Sequence, residues 1–257
     1  MENIQYQLTD RVAQITLNRP EKRNALGPQL VKELTEILDV IEKEPQAKVV
    51  VLKAAGKVFC AGADLAYLQT LQNNTYAENL EDSLSLKVLF QKIYNFPKVV
   101  IAQVQGHAIA GGCGLANVCD FAFTVPEAKF GYTEVKIGFI PAIVKVFLIR
   151  KIGESRAKEL LLSGNLIDAQ TAYQYGLVNY LVEANDLEAE VAKFAQQLCN
   201  TNSSNSMQLT KQMIASIQEK TLEDALYYAA EMNASARASE DCKKGFGAFL
   251  NKEKISW

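Results

Sequence analysis

Two loops of small residues are the parts of this sequence best suited to binding a ligand through the backbone. The first reads Cys60-Ala-Gly-Ala-Asp64, and the second reads Ala110-Gly-Gly-Cys-Gly114. Because no large side chain projects from such loops, a ligand can approach the main chain closely. The residues after the second loop, Leu115-Ala-Asn-Val-Cys119, are typical of a helix start. Free N–H groups and the positive end of the helix dipole would face outward there.

Backbone donors of this kind could stabilise a negatively charged oxygen. An enolate or oxyanion needs two N–H groups aimed at one oxygen atom, and loss of one such donor typically costs about 3 kcal/mol of transition-state stabilisation. The glycines alone are equally consistent with tight turns that bind nothing. Glycine content therefore leaves both interpretations open.

Each loop follows a similar predicted strand. Lys48-Val-Val-Val-Leu-Lys-Ala-Ala-Gly56 matches Lys98-Val-Val-Ile-Ala-Gln-Val-Gln-Gly106 in its pattern, and each is a buried-strand signature that ends in glycine. We interpret the two segments as copies of one strand–turn–helix unit stacked side by side, although two copies are too few to establish a solenoid. Residues 66–92 between the loops are polar and predicted to be helical, as a lid or variable segment.

The two ends of the chain differ in character. Near the N-terminus, apolar residues alternate around a turn at Asp10, which predicts strands, and Pro28 has the position of a helix start. Near the C-terminus, Thr221-Leu-Glu-Asp224 has the form of a capping box. We therefore predict an α/β core over residues 1–190 and a helical region over residues 191–257 that covers the site or contacts a neighbouring subunit.

Composition and charge argue against several classes of protein. Hydrophobic residues make up 49% and charged residues 22% of the 257 positions, which is typical of a globular chain. The formal net charge of −2 gives no support for binding nucleic acid or an anionic membrane. The most apolar stretch, Phe139 to Ile149, is too short to span a bilayer, and no signal peptide is predicted. Five cysteines without a CxxC pair favour reduced thiols, no metal site and a cytoplasmic location.

Five motifs, in this order, resemble the crotonase superfamily, which contains the enoyl-CoA hydratases and isomerases. They are Asn18-Arg-Pro-Glu-Lys-Arg-Asn-Ala-Leu26, Phe59-Cys-Ala-Gly-Ala-Asp-Leu65, Gly106-His-Ala-Ile-Ala-Gly-Gly-Cys-Gly-Leu115, Phe130-Gly-Tyr-Thr-Glu134 and Gly138-Phe-Ile-Pro141. The resemblance implies a crotonase-like spiral of repeated ββα units with a C-terminal helical trimerisation region. It also implies a homotrimer or a dimer of trimers that acts on an acyl-CoA thioester, with coenzyme A as part of the substrate.

The resemblance also implies roles for individual positions. The N–H groups of Ala63 and Gly111 correspond to the oxyanion hole, and Glu134 corresponds to the carboxylate that moves protons. A base in such a site is expected to be buried and to have a raised pKa. The positions that correspond to coenzyme A contacts are Arg23, Ala25, Ala61, Asp64, Leu65, Phe249 and Lys252, the last two reaching the site from an adjacent subunit.

Gly114 is the main departure from the hydratase pattern. Hydratases of the superfamily use a second glutamate at this position, where glycine has no side chain. One carboxylate is enough to remove a proton from a thioester with a stabilised enolate and to return it elsewhere, which favours a Δ3,Δ2-enoyl-CoA isomerase. Glu78, Glu81 and Asp82 in the variable segment are candidates for a replacement carboxylate.

The residues after Glu134 favour hydration. The segment Glu134-Val-Lys-Ile-Gly-Phe-Ile-Pro-Ala-Ile-Val144 resembles a bacterial branch assigned to 3-methylglutaconyl-CoA hydration in leucine breakdown, whose members can also carry glycine at the position of Gly114. The leading prediction is therefore a hydratase of a short or branched 2-enoyl-CoA, with 3-methylglutaconyl-CoA as one candidate. The isomerase is the nearest alternative, decarboxylation or Claisen-type cleavage ranks third, and a non-catalytic CoA-binding subunit is the alternative without catalysis.

Two further reactive side chains lie near the glycine-rich loop. His107 is the single histidine, and the family places no proton-transfer residue at its position, so we predict that it packs. Cys113 has no neighbouring base in sequence and is predicted to fill the core.

Overall fold

A six-stranded sheet forms the centre of the molecule. The computed structural model describes the backbone of residues 1–257 and every side chain except that of Leu65. The strands in chain order are β1 (Ile4–Thr9), β2 (Val12–Leu17), β3 (Val49–Ala54), β4 (Val99–Val104), β5 (Ala108–Ile109), β6 (Phe121–Thr124), β7 (Lys129–Gly131), β8 (Ile167–Asp168) and β9 (Tyr180–Leu181). The larger sheet has the order β1-β2-β3-β4-β6-β9, and a second sheet has the order β5-β7-β8. β1 and β2 form an antiparallel hairpin, and the other neighbours in the larger sheet are parallel.

Helices cover the larger sheet and extend beyond it at the C-terminus. In chain order they are α1 (Pro28–Lys43), α2 (Leu65–Leu71), α3 (Tyr76–Tyr94), α4 (Gly111–Val118), α5 (Ala142–Ser163), α6 (Ala169–Tyr175), α7 (Leu187–Thr201), α8 (Ser204–Ile217), α9 (Leu222–Ala238) and α10 (Glu240–Asn251). Short 3-10 helices occur at Pro20–Lys22 and Glu134–Ile137. No helix along the described residues combines the length and the apolar character needed to cross a membrane.

The two similar strand segments are neighbours in the larger sheet. β3 pairs with β4 in parallel, with Val49 opposite Val99 and Leu52 opposite Ala102, so equivalent positions of the two segments face each other. The loops that follow are also adjacent, since Cys60 bridges to Ala108. The predicted stacking of two strand–turn–helix units and the α/β class are therefore confirmed.

The core lies between the larger sheet and its helices. α1 buries Leu30, Leu34 and Leu38 on one face, which is the spacing expected of an amphipathic helix on a sheet. α3 contacts α1, α4 and α5, and its buried residues, Leu89 and Phe90 among them, lie in its C-terminal half. The N-terminal half of α3 is therefore left to line a cleft rather than the core.

The C-terminal helices differ from the rest in burial. Among the described side chains, α8, α9 and α10 bury none, and Leu226 and Phe249 are large apolar residues that they expose. Such a surface is typical of contact with another protein, and the oligomer stays a prediction. The predicted division after residue 190 falls inside α7, which packs against β2, β3, β4 and β6. By its packing α7 belongs with the core, and the outlying helices begin at Ser204.

Candidate active site

A cleft of about 820 Å³ lies between α1, α2, α3, the two small-residue loops and the start of α5. Four of the predicted site residues line it: Ala61, Ala63, Gly111 and Glu134. Its volume is within the range of pockets that hold a small-molecule ligand. The cleft therefore brings together the predicted backbone donors and the predicted base.

The N–H group of Ala63 is oriented by a short parallel pairing with Leu26. Leu26 donates to the Gly62 carbonyl at 2.6 Å, and Asp64 donates to the Leu26 carbonyl at 2.8 Å. In this pairing the central residue directs its own N–H and C=O groups away from the partner. The Ala63 N–H group therefore points away from Leu26 and is available to a ligand in the cleft.

The N–H group of Gly111 is available because Gly111 is the first residue of α4, where N–H groups lack an acceptor within the helix. The preceding residue, Ala110, has φ 53 and ψ −126, a conformation that costs a residue with a Cβ about 1–3 kcal/mol. Ala110 is held there by two hydrogen bonds: its N–H donates to the Gly131 carbonyl at 2.7 Å, and its carbonyl accepts from the Gly114 N–H at 3.0 Å. A strained turn thus presents Gly111 to the cleft.

Two other glycines in these loops serve packing. A Cβ on Gly112 would lie 2.2 Å from the Cys60 carbonyl oxygen, and a Cβ on Gly62 would lie 2.8 Å from the Cβ of Ala110. Gly62 also has φ 92, which favours glycine. Tight packing of the loops therefore accounts for Gly62 and Gly112, and ligand binding stays a prediction for Ala63 and Gly111.

Glu134 begins the short 3-10 helix that follows β7. It is 9% exposed, and its Oε2 has no hydrogen-bond partner among the described residues. Burial raises the pKa of the carboxyl group, and a hydrogen bond from its own backbone N–H partly offsets this effect. A carboxylate with a raised pKa is a stronger proton acceptor near neutral pH and can serve as a general acid as well as a base.

The position of the second hydratase glutamate is closed by packing. A Cβ on Gly114 would lie 2.2 Å from Cγ1 and 2.7 Å from Cβ of Val144, and 3.1 Å from Cε1 of Phe90. Val144 lies in the first turn of α5 and is 3% exposed. A side chain at residue 114 would require α4 or α5 to move, so Val144 fills the space that a side chain at this position would need. Sequence reasoning identified Gly114 and missed its contact with Val144.

The three acidic candidates from the variable segment, Glu78, Glu81 and Asp82, all line the cleft from α3. Glu78 and Glu81 are exposed, and Asp82 is half-buried. Asp82 accepts a hydrogen bond from the hydroxyl of Tyr67 on α2, a lining residue that sequence reasoning missed. Burial, together with the charge and hydrogen bond of Asp82, raises the pKa of Tyr67. The signal for Tyr67 was its place in the first helical turn after the Ala63 loop.

The loop that carries the predicted coenzyme A residues is joined to the first small-residue loop. Ala61 donates its N–H to the Arg23 carbonyl at 3.1 Å, and Arg19 pairs with Asp64 at 3.2 Å. Asp64 also caps α2 by accepting from the N–H groups of Ala66 and Tyr67. Burial opposes ionisation of Asp64, but these hydrogen bonds and the charge of Arg19 outweigh burial and lower its pKa. The Asp64 carboxylate is thus engaged in positioning the loop.

The remaining predicted contacts do not line the cleft as described. Arg23 is exposed and Ala25 is buried. Phe249 is 82% exposed, and Lys252 is the exposed residue that ends α10. Neither Phe249 nor Lys252 lines the cleft of its own chain. The side chain of Leu65 lies outside the described residues.

The two reactive side chains near the glycine-rich loop have different surroundings. Cys113 is fully buried, as predicted, and burial raises the pKa of its thiol to about 12. His107 is exposed, so the prediction that it packs is wrong. Its Nδ1 accepts a hydrogen bond from the Lys129 N–H at 3.2 Å. Its carbonyl accepts a hydrogen bond from the Phe59 N–H at 3.1 Å, which joins the segments that lead into the two small-residue loops.

Comparison with known proteins identifies the family. The family model described as enoyl-CoA hydratase/isomerase matches residues 7–257. A Thermus thermophilus protein named as a candidate enoyl-CoA hydratase is 43% identical over 241 residues, which cover 94% of this chain and 95% of the relative. The crotonyl-CoA hydratase of Syntrophomonas wolfei is 33% identical over 258 residues, which cover 100% of this chain and 98% of the relative.

Solved structures agree with this assignment. The crystal structure of an enoyl-CoA hydratase from Shewanella pealeana superposes with a TM-score of 0.94 at 31% identity, covering 99% of this chain and 96% of that one. The crotonase-like fold expected from the motifs is thereby confirmed. The chain belongs to the enoyl-CoA hydratase/isomerase family of enzymes.

Proposed function

We propose that the protein is an enoyl-CoA hydratase that acts on a short or branched 2-enoyl-CoA, with Glu134 as acid and base. One observation carries the proposal: a buried carboxylate and two backbone donors, Ala63 and Gly111, line the same cleft. The names of relatives over the full length of the chain support the hydratase assignment.

The backbone donors act on the thioester carbonyl. Its oxygen accepts hydrogen bonds from the N–H groups of Ala63 and Gly111, which withdraw electrons from the conjugated double bond and make the β-carbon electrophilic. Negative charge grows on this oxygen as the enolate forms, so the two hydrogen bonds strengthen towards the transition state. Each donor of this kind is worth about 3 kcal/mol.

Glu134 moves the proton. As the water oxygen bonds to the β-carbon, the Glu134 carboxylate takes one proton from that water and the electron pair of the double bond moves into the enolate. The protonated Glu134 then donates to the α-carbon and the carbonyl is restored. One water molecule is added in total, and Glu134 returns to its starting state. The raised pKa of Glu134 suits a group that must both accept and donate.

The coenzyme A moiety of the bound thioester is proposed to extend out of the cleft past Ala61 and the exposed loop at Arg23. The other proposed contacts from this chain are Ala25, Asp64 and Leu65. The hydrogen bond between Ala61 and Arg23 makes one continuous surface of the two loops, and a guanidinium group suits phosphate. Phe249 and Lys252 of an adjacent subunit complete the proposed site. The homotrimer or dimer of trimers and the cytoplasmic location stay predictions.

Isomerisation is a second candidate because Val144 fills the space at Gly114. A Δ3,Δ2-isomerase needs no bound water: Glu134 removes a proton from C2 of a 3-enoyl thioester and returns it to C4, which leaves the double bond at C2. The same donors stabilise the intermediate dienolate. The closed position at residue 114 specifically favours this reaction.

Three substrates separate the candidates. The purified protein is incubated with crotonyl-CoA, 3-methylglutaconyl-CoA and trans-3-hexenoyl-CoA, and the absorbance of the conjugated enoyl thioester is followed. Loss of absorbance with a conjugated substrate means hydration, and gain with the 3-enoyl substrate means isomerisation. If all three thioesters are inert, the proposed function is wrong.

Glu134→Gln removes the proton acceptor and keeps the shape of the side chain. We expect kcat to fall at least about 10³-fold, with little change in the Kd for coenzyme A thioesters measured by calorimetry. Substantial residual turnover in this variant would show that another group is the base.

A further inference from the structure

One wall of the cleft concentrates negative charge. Glu78, Glu81 and Asp82, all in the first two turns of α3, line the cleft together. Hydrogen bonds from the backbone and hydroxyl of Thr75 lower the pKa of Glu78, which keeps that carboxylate ionised. Three acidic residues thus line one ligand volume within two turns of helix.

Asp82 is the most enclosed of the three acids. It is half-buried, and the Tyr67 hydroxyl donates to its Oδ1. This hydrogen bond fixes the carboxylate at the wall of the cleft and occupies the hydroxyl donor, so the pair offers a ligand hydrogen-bond acceptors and negative charge. The raised pKa of Tyr67 keeps the phenol protonated.

Little positive charge in the cleft balances this wall. Among the described lining residues Lys32 is the single basic side chain. It lies on α1, is exposed, and faces Glu36 at 3.9 Å. The rest of the lining near the acidic wall is largely apolar, with Leu68, Leu71, Leu86, Ile140 and Val144. A ligand group in this part of the cleft meets hydrocarbon and carboxylates.

The acyl chain of a bound thioester has to run toward this wall. If Ala63 and Gly111 hold the carbonyl and coenzyme A leaves past Ala61 and Arg23, the lining that remains for the acyl chain is that of α1, α2, α3 and the start of α5. On α1 the lining pair Lys32 and Glu36 adds no net charge. This placement rests on the proposed function.

We infer that the acidic wall of α3 makes the site selective for acyl-CoA thioesters whose acyl group carries no distal carboxylate, with Asp82 as the specificity-determining residue. A distal carboxylate, as in 3-methylglutaconyl-CoA, would approach like charges, and the single lining cation among the described residues, Lys32, is already paired with Glu36. Repulsion of this kind discriminates against a ligand without improving the contacts of its competitor. The favoured substrates are thioesters with an uncharged chain, such as crotonyl-CoA.

A binding experiment tests the selectivity independently of turnover. Glutaryl-CoA carries a distal carboxylate and does not react by hydration, and its ω-amide has the same size without the charge. We expect the wild-type protein to bind glutaryl-CoA at least about tenfold more weakly than the amide, as measured by calorimetry at low salt. The ratio of the two Kd values isolates charge from shape.

Variants locate the effect. Asp82→Asn should reduce the ratio of Kd values at least about threefold, and the triple variant Glu78→Gln/Glu81→Gln/Asp82→Asn should bring it close to one. Tyr67→Phe retains the charge and should keep most of the ratio. Glu127→Gln, which removes an exposed carboxylate outside the cleft, should leave the ratio unchanged.

The outcomes separate this inference from the proposed function. Equal binding of glutaryl-CoA and its amide by the wild-type protein overturns the inference, even when crotonyl-CoA is hydrated. If the triple variant keeps the wild-type ratio of Kd values, the inference is also overturned, because the repulsion would then arise from groups outside α3. Charge-selective binding that α3 controls supports the inference even when hydration of crotonyl-CoA is absent, and in that case only the proposed function is wrong.

Discussion

Gly114→Ala tests whether the position of the missing carboxylate is closed by packing. The added Cβ would lie 2.2 Å from Cγ1 and 2.7 Å from Cβ of Val144, well inside van der Waals contact. Neither atom is the end of a long flexible side chain, because Val144 is β-branched and buried. The clash can be relieved only by moving α4 relative to α5.

The expected magnitude follows from two opposing effects. Overpacking of a core by a methyl group typically costs about 1–3 kcal/mol, and replacing glycine by alanine inside a helix gains up to about 1 kcal/mol. Gly114→Ala should therefore lower the free energy of unfolding by about 1–2 kcal/mol. Val144→Ala alone should lower it by about 1–3 kcal/mol, since it removes two buried methyl groups.

The double variant carries the decisive information. In Gly114→Ala/Val144→Ala the new methyl group enters the space that the valine has left, so the loss should be smaller than the sum of the single losses by about 1–2 kcal/mol. The four proteins are compared by urea denaturation at one protein concentration, because association would contribute to the apparent stability. Gly247→Ala in α10, where a Cβ meets nothing within 4 Å, is the matched control and should be neutral or stabilising.

Two results would refute the reasoning. A neutral or stabilising effect of Gly114→Ala would mean that Val144 does not fill the site. If the loss in the double variant equals the sum of the two single losses to within about 0.5 kcal/mol, the side chains at residues 114 and 144 do not share the space. If the coupling is found, Gly114→Glu combined with Val144→Gly becomes the way to introduce a second carboxylate, and its hydration rate can be measured with crotonyl-CoA.

Three further predictions concern the candidate base Glu134 and the loop that contains Asn24. Burial raises the pKa of Glu134 in the folded state, so ionisation of this group opposes folding fully above the folded-state pKa and not below the unfolded value. Glu134→Gln should therefore raise the free energy of unfolding at pH 8 and not at pH 4, measured by thermal melts. For the same reason the acidic limb of kcat/KM for crotonyl-CoA should lie above the ordinary glutamate value of 4.5, and a limb at or below 4.5 would contradict the assignment of the base. Asn24→Ala should lower the free energy of unfolding by about 2–4 kcal/mol in urea denaturation. The buried amide makes hydrogen bonds to Arg19, Ala55 and Val58, and the residue has φ 54, which disfavours alanine. A loss below about 1 kcal/mol would show that these hydrogen bonds contribute little to stability.

Local patterns were sufficient for the repeated unit of the fold. The similarity of the segments that begin at Lys48 and Lys98 predicted their stacking, and the sheet pairs Val49 with Val99. Such runs can be recognised without a structure because burial on both faces of a parallel strand requires continuous apolar residues. The boundary of the C-terminal region was less accessible, since α7 has the same helical periodicity as the helices that follow it and differs only in what it packs against.

The positions of the candidate backbone donors could likewise be predicted, whereas the hydrogen bonds between side chains that line the cleft could not. Small residues at Ala63 and Gly111 indicated where a ligand could approach the main chain, because only the local absence of side chains permits it. The cleft collects these positions with Glu134. By contrast, the bond between Tyr67 and Asp82 joins two helices, and neither segment alone carries a signal for it.

The sequence by itself predicted the fold class, which is confirmed, and it also predicted the two donor loops, the candidate base Glu134 and the absence of a side chain at Gly114. Only the tertiary structure decided that Val144 closes the space beside Gly114 and that three acidic residues of α3 line the same cleft as Glu134. The physical reason is the range of the interactions. Strand patterns, helix starts and backbone access depend on neighbours along the chain, whereas the space and charge around a ligand depend on side chains that meet only when distant segments pack together.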